Sequence, residues 1–232
     1  LSSLPTQYGE FAAEQHDLTE SEQYWLSVFE EEVPKLTLPT DYARKEKQSF
    51  TGSSFHDLID LQLHEQVTEK AKVLGITPYA FYMACFNILL AKYSGNEDIT
   101  VGMPISGRSS KFLNTIGMFV NTIALRSKPE GAKTVATFMQ EVRDASVAAI
   151  EHQNYPLGEL VNKLHDSLFD VMFAYQREEK LSVLLGETQT ELVPFTGTTA
   201  KYDFTFTLVP TETDVAIVVD YCTDLYKEQT IH

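Results

Sequence analysis

The stretch Pro78–Tyr93, PYAFYMACFNILLAKY, most restricts what this chain can become. At 3.6 residues per turn it is apolar on nearly every side, so a helix there must sit centrally with other elements wrapped around it. Thr77 offers an N-cap hydroxyl, Pro78 presets the first helical φ, and Gly95 marks the stop. The segment is not a membrane span. Pro78, Asn87 and Lys92 interrupt it, and it falls short of the ~20 predominantly apolar residues a crossing needs. No basic-then-apolar signal opens the chain.

Around this helix the pattern alternates between two periods. ESEQYWLSVFEE, residues 20–31, places Trp25 and Phe29 four apart on one helical face, before Pro34 and Pro39 break the run. FHDLIDLQL begins extended. Leu63, Val67, Ala71 and Leu74 then repeat at helical spacing until Gly75. DITVGMPI, residues 98–105, reads as a buried strand leading into the loop SGRSSKF, and residues 134–151 carry Phe138, Val142, Ala145 and Ala149 on one helical stripe. A second short helix, YPLGELVNKL, follows the break at Asn154 and Pro156. Three extended runs close the chain: DVMFAY, YDFTFTLV and VAIVVDY. In the second, Tyr202, Phe204, Phe206 and Leu208 alternate with Asp203, Thr205 and Thr207, which predicts a sheet with one wet face. Between the first two runs, QREEKLSVLLGETQTE reads as a hairpin arm or an excursion too long for a tight turn. The order predicts an α/β, two-layer sandwich, a mixed sheet with helices packed on one face, and residues 1–232 read as a single domain.

IGMFVNTIALR, residues 116–126, poses a problem. If extended, it puts Phe119, Asn121, Ile123 and Leu125 on one face and Met118, Val120, Thr122 and Ala124 on the other. Asn121 then sits on an apolar face. A buried amide without partners costs about 1–3 kcal/mol, so Asn121 either bonds neighbouring backbone or faces something outside the chain.

Eighteen basic against 33 acidic residues give a net charge of −15 and a pI near 4.7, which opposes nucleic acid and anionic membrane surfaces as partners. The one basic cluster, DYARKEKQS at 41–49, reads as a solvated loop. Cys85 and Cys222 lie in apolar runs and read as small packed hydrophobes rather than a disulfide, in keeping with a reducing, cytoplasmic setting. Metal, nucleotide and simple hydrolase signatures (CxxC, HExxH, a phosphate-cradling glycine loop, GxSxG) are missing from the sequence. His152, in EHQNYPLGEL, reads as a structural residue at a helix end, with a catalytic base as the alternative. Ser106 in PISGR has no base nearby in sequence and reads as a turn or substrate-lining hydroxyl.

The order of segments resembles the C-terminal half of a condensation domain of non-ribosomal peptide synthetases. The likeness runs from QYGEFAAEQ to CTDLYKEQTI. IGMFVNTIALR is similar to the family's IGxFVNTxxxR motif, HQNYPLGEL to [HN]QDxPFE, and LFDVMFAYQ to the end of RDxSRNPLFDVMFxxQ; VGMPISGR and YDFTF fit as well. Such domains are built like chloramphenicol acetyltransferase, from two α/β lobes in a V around a tunnel. The resemblance implies amide formation between an acyl or peptidyl thioester and an aminoacyl thioester, both on 4'-phosphopantetheine arms of carrier-protein partners. It implies no directly bound cofactor and no metal, with the N-terminal lobe of the same domain as the other partner.

In this chain the resemblance would place Asn121, Phe119, Gly117, Ser106 and Gly107 along the tunnel, with Arg108 in the same loop. His152, Gln153, Pro156, Arg126 and Asp170 would be structural members of the motifs. The family's catalytic His-His-x-x-x-Asp-Gly string belongs to the other lobe and does not occur in these 232 residues, which implies an isolated lobe with no catalytic residue and no activity alone. KLHDSLFDVMF is also shorter than the family's stretch, with the Arg-Asp-x-Ser-Arg-Asn-Pro portion absent or replaced. The remaining readings are a lobe of an epimerisation or heterocyclisation domain, and a non-catalytic platform that recruits a carrier protein or tailoring enzyme.

Overall fold

The computed structural model describes residues 6–14, 17–47, 49–176, 184–185, 188–189, 197–211 and 213–232. The elements are α1 (Tyr8–Ala12), α2 (Thr19–Val28), β1 (Gly52–Asp60), α3 (Leu61–Leu74), α4 (Pro78–Ser94), β2 (Ile99–Ser106), β3 (Val120–Ser127), α5 (Val135–Glu151), α6 (Leu157–Leu164), β4 (Val171–Tyr175), β5 (Leu184–Leu185), β6 (Thr188–Gln189), β7 (Phe204–Pro210), β8 (Asp214–Cys222) and α7 (Glu228–Ile231). The chain divides into two compact units, Leu1–Thr37 with Tyr82–Phe169 and Leu38–Phe81 with Asp170–His232, the division falling within α4.

In the first unit β2 and β3 pair antiparallel from Ile99↔Ser127 to Ser106↔Val120, and α5 and α6 pack on β3. Thr134 caps α5 by accepting from the Thr137 amide. The core gathers Trp25 and Phe29 from α2 and its end, Met83, Phe86 and Leu90 from α4, Val101, Ile123 and Leu125 from the strands, and Phe138 and Val142 from α5. Asn87, fully buried on α4, donates to the Ser127 hydroxyl at 2.9 Å.

In the second unit β1 and β7 flank β8 antiparallel, while β4 lies parallel to β7, so the sheet is mixed as expected. Asp60 ends β1 and caps α3 through the Leu63 amide, and Gly75 closes that helix at φ 69°, a left-handed position that favours glycine. Tyr221, Cys222, Leu225 and Tyr226 form a satellite core with Phe55, Phe204 and Ile231. The expected hairpin arm is met where β5 pairs antiparallel with β6; the rest of that stretch lies outside the described residues.

Three expectations change. The helix at 78–94 is not wrapped all round: Cys85, Leu89 and Tyr93, four apart, are exposed among the described residues. Cys85 is therefore no packed core hydrophobe, whereas Cys222 is buried. Neither face of β7 is openly wet: Thr205 and Thr207 are half-buried like Phe204 and Phe206, and Asp203, just before the strand, is buried in a bidentate pair with Arg44. The basic 41–49 stretch is a solvated loop as expected, exposed over residues 41–47, and within it Arg44 pairs with Asp203, Lys45 with Asp224 and Asp41 with the Lys227 amide. No single described helix is long and apolar enough to cross a membrane.

Candidate functional site

Several motif residues of the first unit lie at the loop end of the β2–β3 ladder, while Arg126, opposite Thr100, lies at the other end. Ser106, the last residue of β2, is exposed and lies directly opposite Val120, the first of β3. The next residue, Gly107, keeps its N–H on the Phe119 carbonyl at 2.9 Å. A Cβ there would stand 2.6 Å from that same oxygen, so the close backbone approach requires glycine. Gly117 is required for a different reason: a Cβ would run into the ring of Tyr8, whose hydroxyl donates to the Met118 carbonyl at 2.9 Å.

Phe119 is only 5 % exposed. Its ring packs against those of Tyr8, Phe11 and Phe112 at centroid distances of 5.3, 4.6 and 5.8 Å. The Arg108 guanidinium lies 4.0 Å above its face, a cation–π contact, and donates to the Phe112 and Thr115 carbonyls. α1, which no sequence periodicity announced, exists here to close this aromatic cluster.

Asn121 answers the question its sequence poses. Its Nδ2 donates to the Gln153 carbonyl at 2.6 Å, and its Oδ1 accepts from the Thr122 amide at 2.8 Å. Both ends of the amide are spent on backbone. The neighbouring His152 carbonyl accepts from the Trp25 indole at 3.0 Å, while its imidazole shares a hydrogen bond with the Ser21 hydroxyl at 3.1 Å and stacks on Tyr24 at 4.2 Å. Successive carbonyls between α5 and α6 are thus held by α2 and by β3, and Pro156 then starts α6, its own carbonyl accepting from the Glu159 amide. The two motifs meet through these bonds, which no spacing in sequence could reveal.

Arg126, at the end of the first motif, uses all five of its N–H groups. Nε and Nη2 hold Asp98 at 2.9 and 2.7 Å, Nη1 donates to the Val28 and Glu31 carbonyls, and Nη2 also reaches that of Glu32. Val28 is the last residue of α2, so the cation also sits where the helix dipole is negative. The pair with Asp98 raises the Arg126 pKa above its ordinary value. Sequence reading had no signal for Asp98 or for the carbonyls.

Asp170 is elsewhere, in the second unit, where its carbonyl accepts from the Asp203 amide at 2.8 Å. Nearby, Tyr226 is buried with no hydrogen-bond partner for its hydroxyl among the described residues, and burial, with the Asp203 charge, pushes its pKa up.

The candidate lining residues therefore divide by strand face. Phe119 turns inward and Asn121 is half-buried; Ser106 turns outward with Val120, which sequence reading passed over. Met118, 73 % exposed, and Val120, 61 % exposed, are uncovered among the described residues. The signal was available in the alternation, which puts Val120 opposite in parity to Asn121. No cluster of three or more His, Cys, Asp or Glu side chains suited to a metal exists among the described residues.

A family model described as "Condensation domain" matches residues 1–232. The chain is 41 % identical over 249 aligned positions to gramicidin S synthase 2 of Brevibacillus brevis, covering all of this chain and 6 % of that protein. It is 40 % identical to surfactin synthase subunit 2 of Bacillus subtilis (strain 168), over 97 % of this chain and 6 % of that one. Aligning 232 residues over 249 positions leaves at least 17 positions of the gramicidin relative without a counterpart. Among solved structures, the X-domain from teicoplanin biosynthesis superposes with a TM-score of 0.89 at 18 % identity, over all of this chain and 57 % of that one. The first condensation domain of the CDA synthetase superposes with 0.76 at 18 %, over 96 % and 50 %. The chain spans about half of these solved chains and a small fraction of the curated relatives.

Proposed function

The chain belongs to the condensation-domain family of non-ribosomal peptide synthetases, and on that premise we propose that it is one lobe of a domain that joins carrier-bound thioesters into an amide. The observation that carries the reading is the family match over the whole chain, together with relatives at 40–41 % identity that are peptide synthases. In this reading the α-amine of an aminoacyl thioester attacks an acyl or peptidyl thioester. The new C–N bond forms as the C–S bond breaks, and the donor pantetheine leaves as a thiol. The acid/base histidine comes from the other lobe. This lobe supplies one wall of the tunnel at the loop end of β2–β3, and its contribution to rate is proximity. Carrier proteins are the partners, each bringing its 4'-phosphopantetheine arm as cargo, in a cytoplasmic setting. Docking on a lobe of net charge −15 rests on apolar contacts and local basic side chains.

The test supplies loaded donor and acceptor carriers to the complete parent domain and looks for the condensed thioester by mass spectrometry. The expected result is product from the parent and none above background from residues 1–232 alone. Turnover by the isolated chain would refute the lobe reading; inactivity of the parent would refute the catalytic one. A second reading, a platform without condensation activity, has its own motive. The teicoplanin X-domain, of similar fold, has been solved in complex with OxyB. Retained binding of a partner by an inactive parent is the outcome that would favour it.

A further inference from the structure

We propose that Val120, with Ser106 beside it, is the specificity-determining contact of this lobe, and that the group it meets is the aliphatic side chain of an aminoacyl thioester. The proposal rests on the reading that the loop end of β2–β3 borders the condensation tunnel. Granted that, strand geometry favours the face of Val120. Phe119 is enclosed by three aromatic rings and the Arg108 guanidinium, and Asn121 is bonded at both ends to backbone. Phe119 has no surface left to offer a ligand, and half-buried Asn121 is oriented by backbone at both ends of its amide, whereas Val120 and Ser106 are exposed.

The opposite face is graded. At its inner end Ala124 pairs with Gly102, where the Phe169 ring lies so close that a Cβ on Gly102 would collide with it. Thr122 and Pro104, the next pair, are half-buried. Val120 and Ser106, the last pair, are exposed. Directly paired residues of an antiparallel ladder have Cβ atoms about 4.5–5.5 Å apart on one face, so two methyl groups and one hydroxyl come within reach of a single small group. That combination suits an aliphatic side chain beside a polar thioester or amide.

Charge argues the same way. The pair bears none, and the nearby Arg108 is committed to two carbonyls and the Phe119 ring. An ammonium placed against Val120 would lose water with only the Arg108 cation near it, so aliphatic acceptors are preferred over cationic ones.

The experiment uses the complete parent domain, comparing wild type with Val120→Ala, Val120→Phe and Asn121→Ala. Two quantities are read in parallel: kcat/KM for alanyl and leucyl acceptors on loaded carriers, and calorimetric binding of alanyl- and leucyl-pantetheine amides, which cannot react. A hydrophobic contact that changes by a methylene or two alters discrimination by about 10- to 200-fold. The leucyl-to-alanyl ratio should therefore move by ~10-fold in Val120→Ala, and Val120→Phe should exclude leucyl first. An exposed site should leave the melting temperature within roughly 2 °C in both Val120 variants. Asn121→Ala should do the reverse, lowering the melting temperature with the ratio unchanged. Unchanged ratios in both Val120 variants, or a fall in melting temperature with no change in ratio, overturn the assignment, since Val120 would then be packing against protein. If the wild type forms no amide, the function reading falls on its own, and the pantetheine-amide binding ratio still decides for or against Val120.

Discussion

Replacing Arg126 by Met should cost about 3–5 kcal/mol, the usual range for breaking a buried ion pair and stranding the partner. The structure argues for the lower half of that range. The Arg126 side chain is 6 % exposed, so its five hydrogen bonds are sheltered, but Asp98 at 18 % can recover some water, and the Glu31 and Glu32 carbonyls lie in exposed backbone that can do the same. Taking ~3 kcal/mol, and about 2–4 °C per kcal/mol for a chain of this length, the melting temperature should fall by roughly 6–12 °C. Arg126→Lys keeps the charge but presents one ammonium where a planar fork meets a carboxylate and three carbonyls, so about half the loss should remain.

A double-mutant cycle with Asp98→Asn should return a coupling of about 2 kcal/mol. Trp25, the only tryptophan, is buried in α2 and bonded to the His152 carbonyl, so its fluorescence during urea unfolding reports the helix that Arg126 caps. A loss under ~1 kcal/mol in Arg126→Met, or a coupling within the ~0.5 kcal/mol error of additivity, would show the pair behaving as a surface ion pair and the five-donor argument to be wrong.

Asn121→Ala should lower stability by about 1–3 kcal/mol, because the Gln153 carbonyl loses its donor, and the folded parent enzyme should keep its activity; a stable but slow variant would return Asn121 to the tunnel. Asn121→Asp should be pH-dependent: its carboxylate faces the Gln153 carbonyl, which raises its folded pKa, so stability should be present in acid and lost as pH rises through that value, and a flat pH–stability difference from wild type would refute the donor assignment. Gly117→Ala should displace the Tyr8 ring and break its bond to the Met118 carbonyl, seen as increased proteolysis of the N-terminal segment, with no change if the ring is not seated there. Asp41 is held below its ordinary pKa by the Lys227 amide, and Asp224 by Lys45. Their contribution is present above about pH 4 and is lost as pH falls through the depressed values, so an Asp41→Asn, Asp224→Asn double variant should show a shallower acid-side decline.

Much of the fold was legible because it is written in short-range terms. Thr77 and Pro78, Thr134, Gly75 and Gly95 act within one turn of themselves, and the helix and strand limits they imply lie within a few residues of those observed. The order strand, helix, helix, strand, strand, helix, helix from β1 to α6 follows from hydrophobic period alone. β3 was the exception. Its motif begins at Ile116, but the strand begins at Val120, because the preceding backbone is bent around the Tyr8 ring, a contact more than a hundred residues distant in sequence.

What the sequence by itself determined is the family, the fold class and the pairing of faces: a strand of known register has one parity inward and one outward, and IGMFVNTIALR carries both in plain view. What only the tertiary structure decided is which parity is which. Asn121 looked like an orphan amide seeking a ligand because its acceptor, the Gln153 carbonyl, is 32 residues away and belongs to the backbone, where residue identity leaves no trace. Asp98 and the Val28, Glu31 and Glu32 carbonyls are invisible beside Arg126 for the same reason. Backbone groups are common to every residue, so a side chain that spends itself on them cannot be told in sequence from one reserved for substrate, and the distinction rests on where the chain brings those carbonyls.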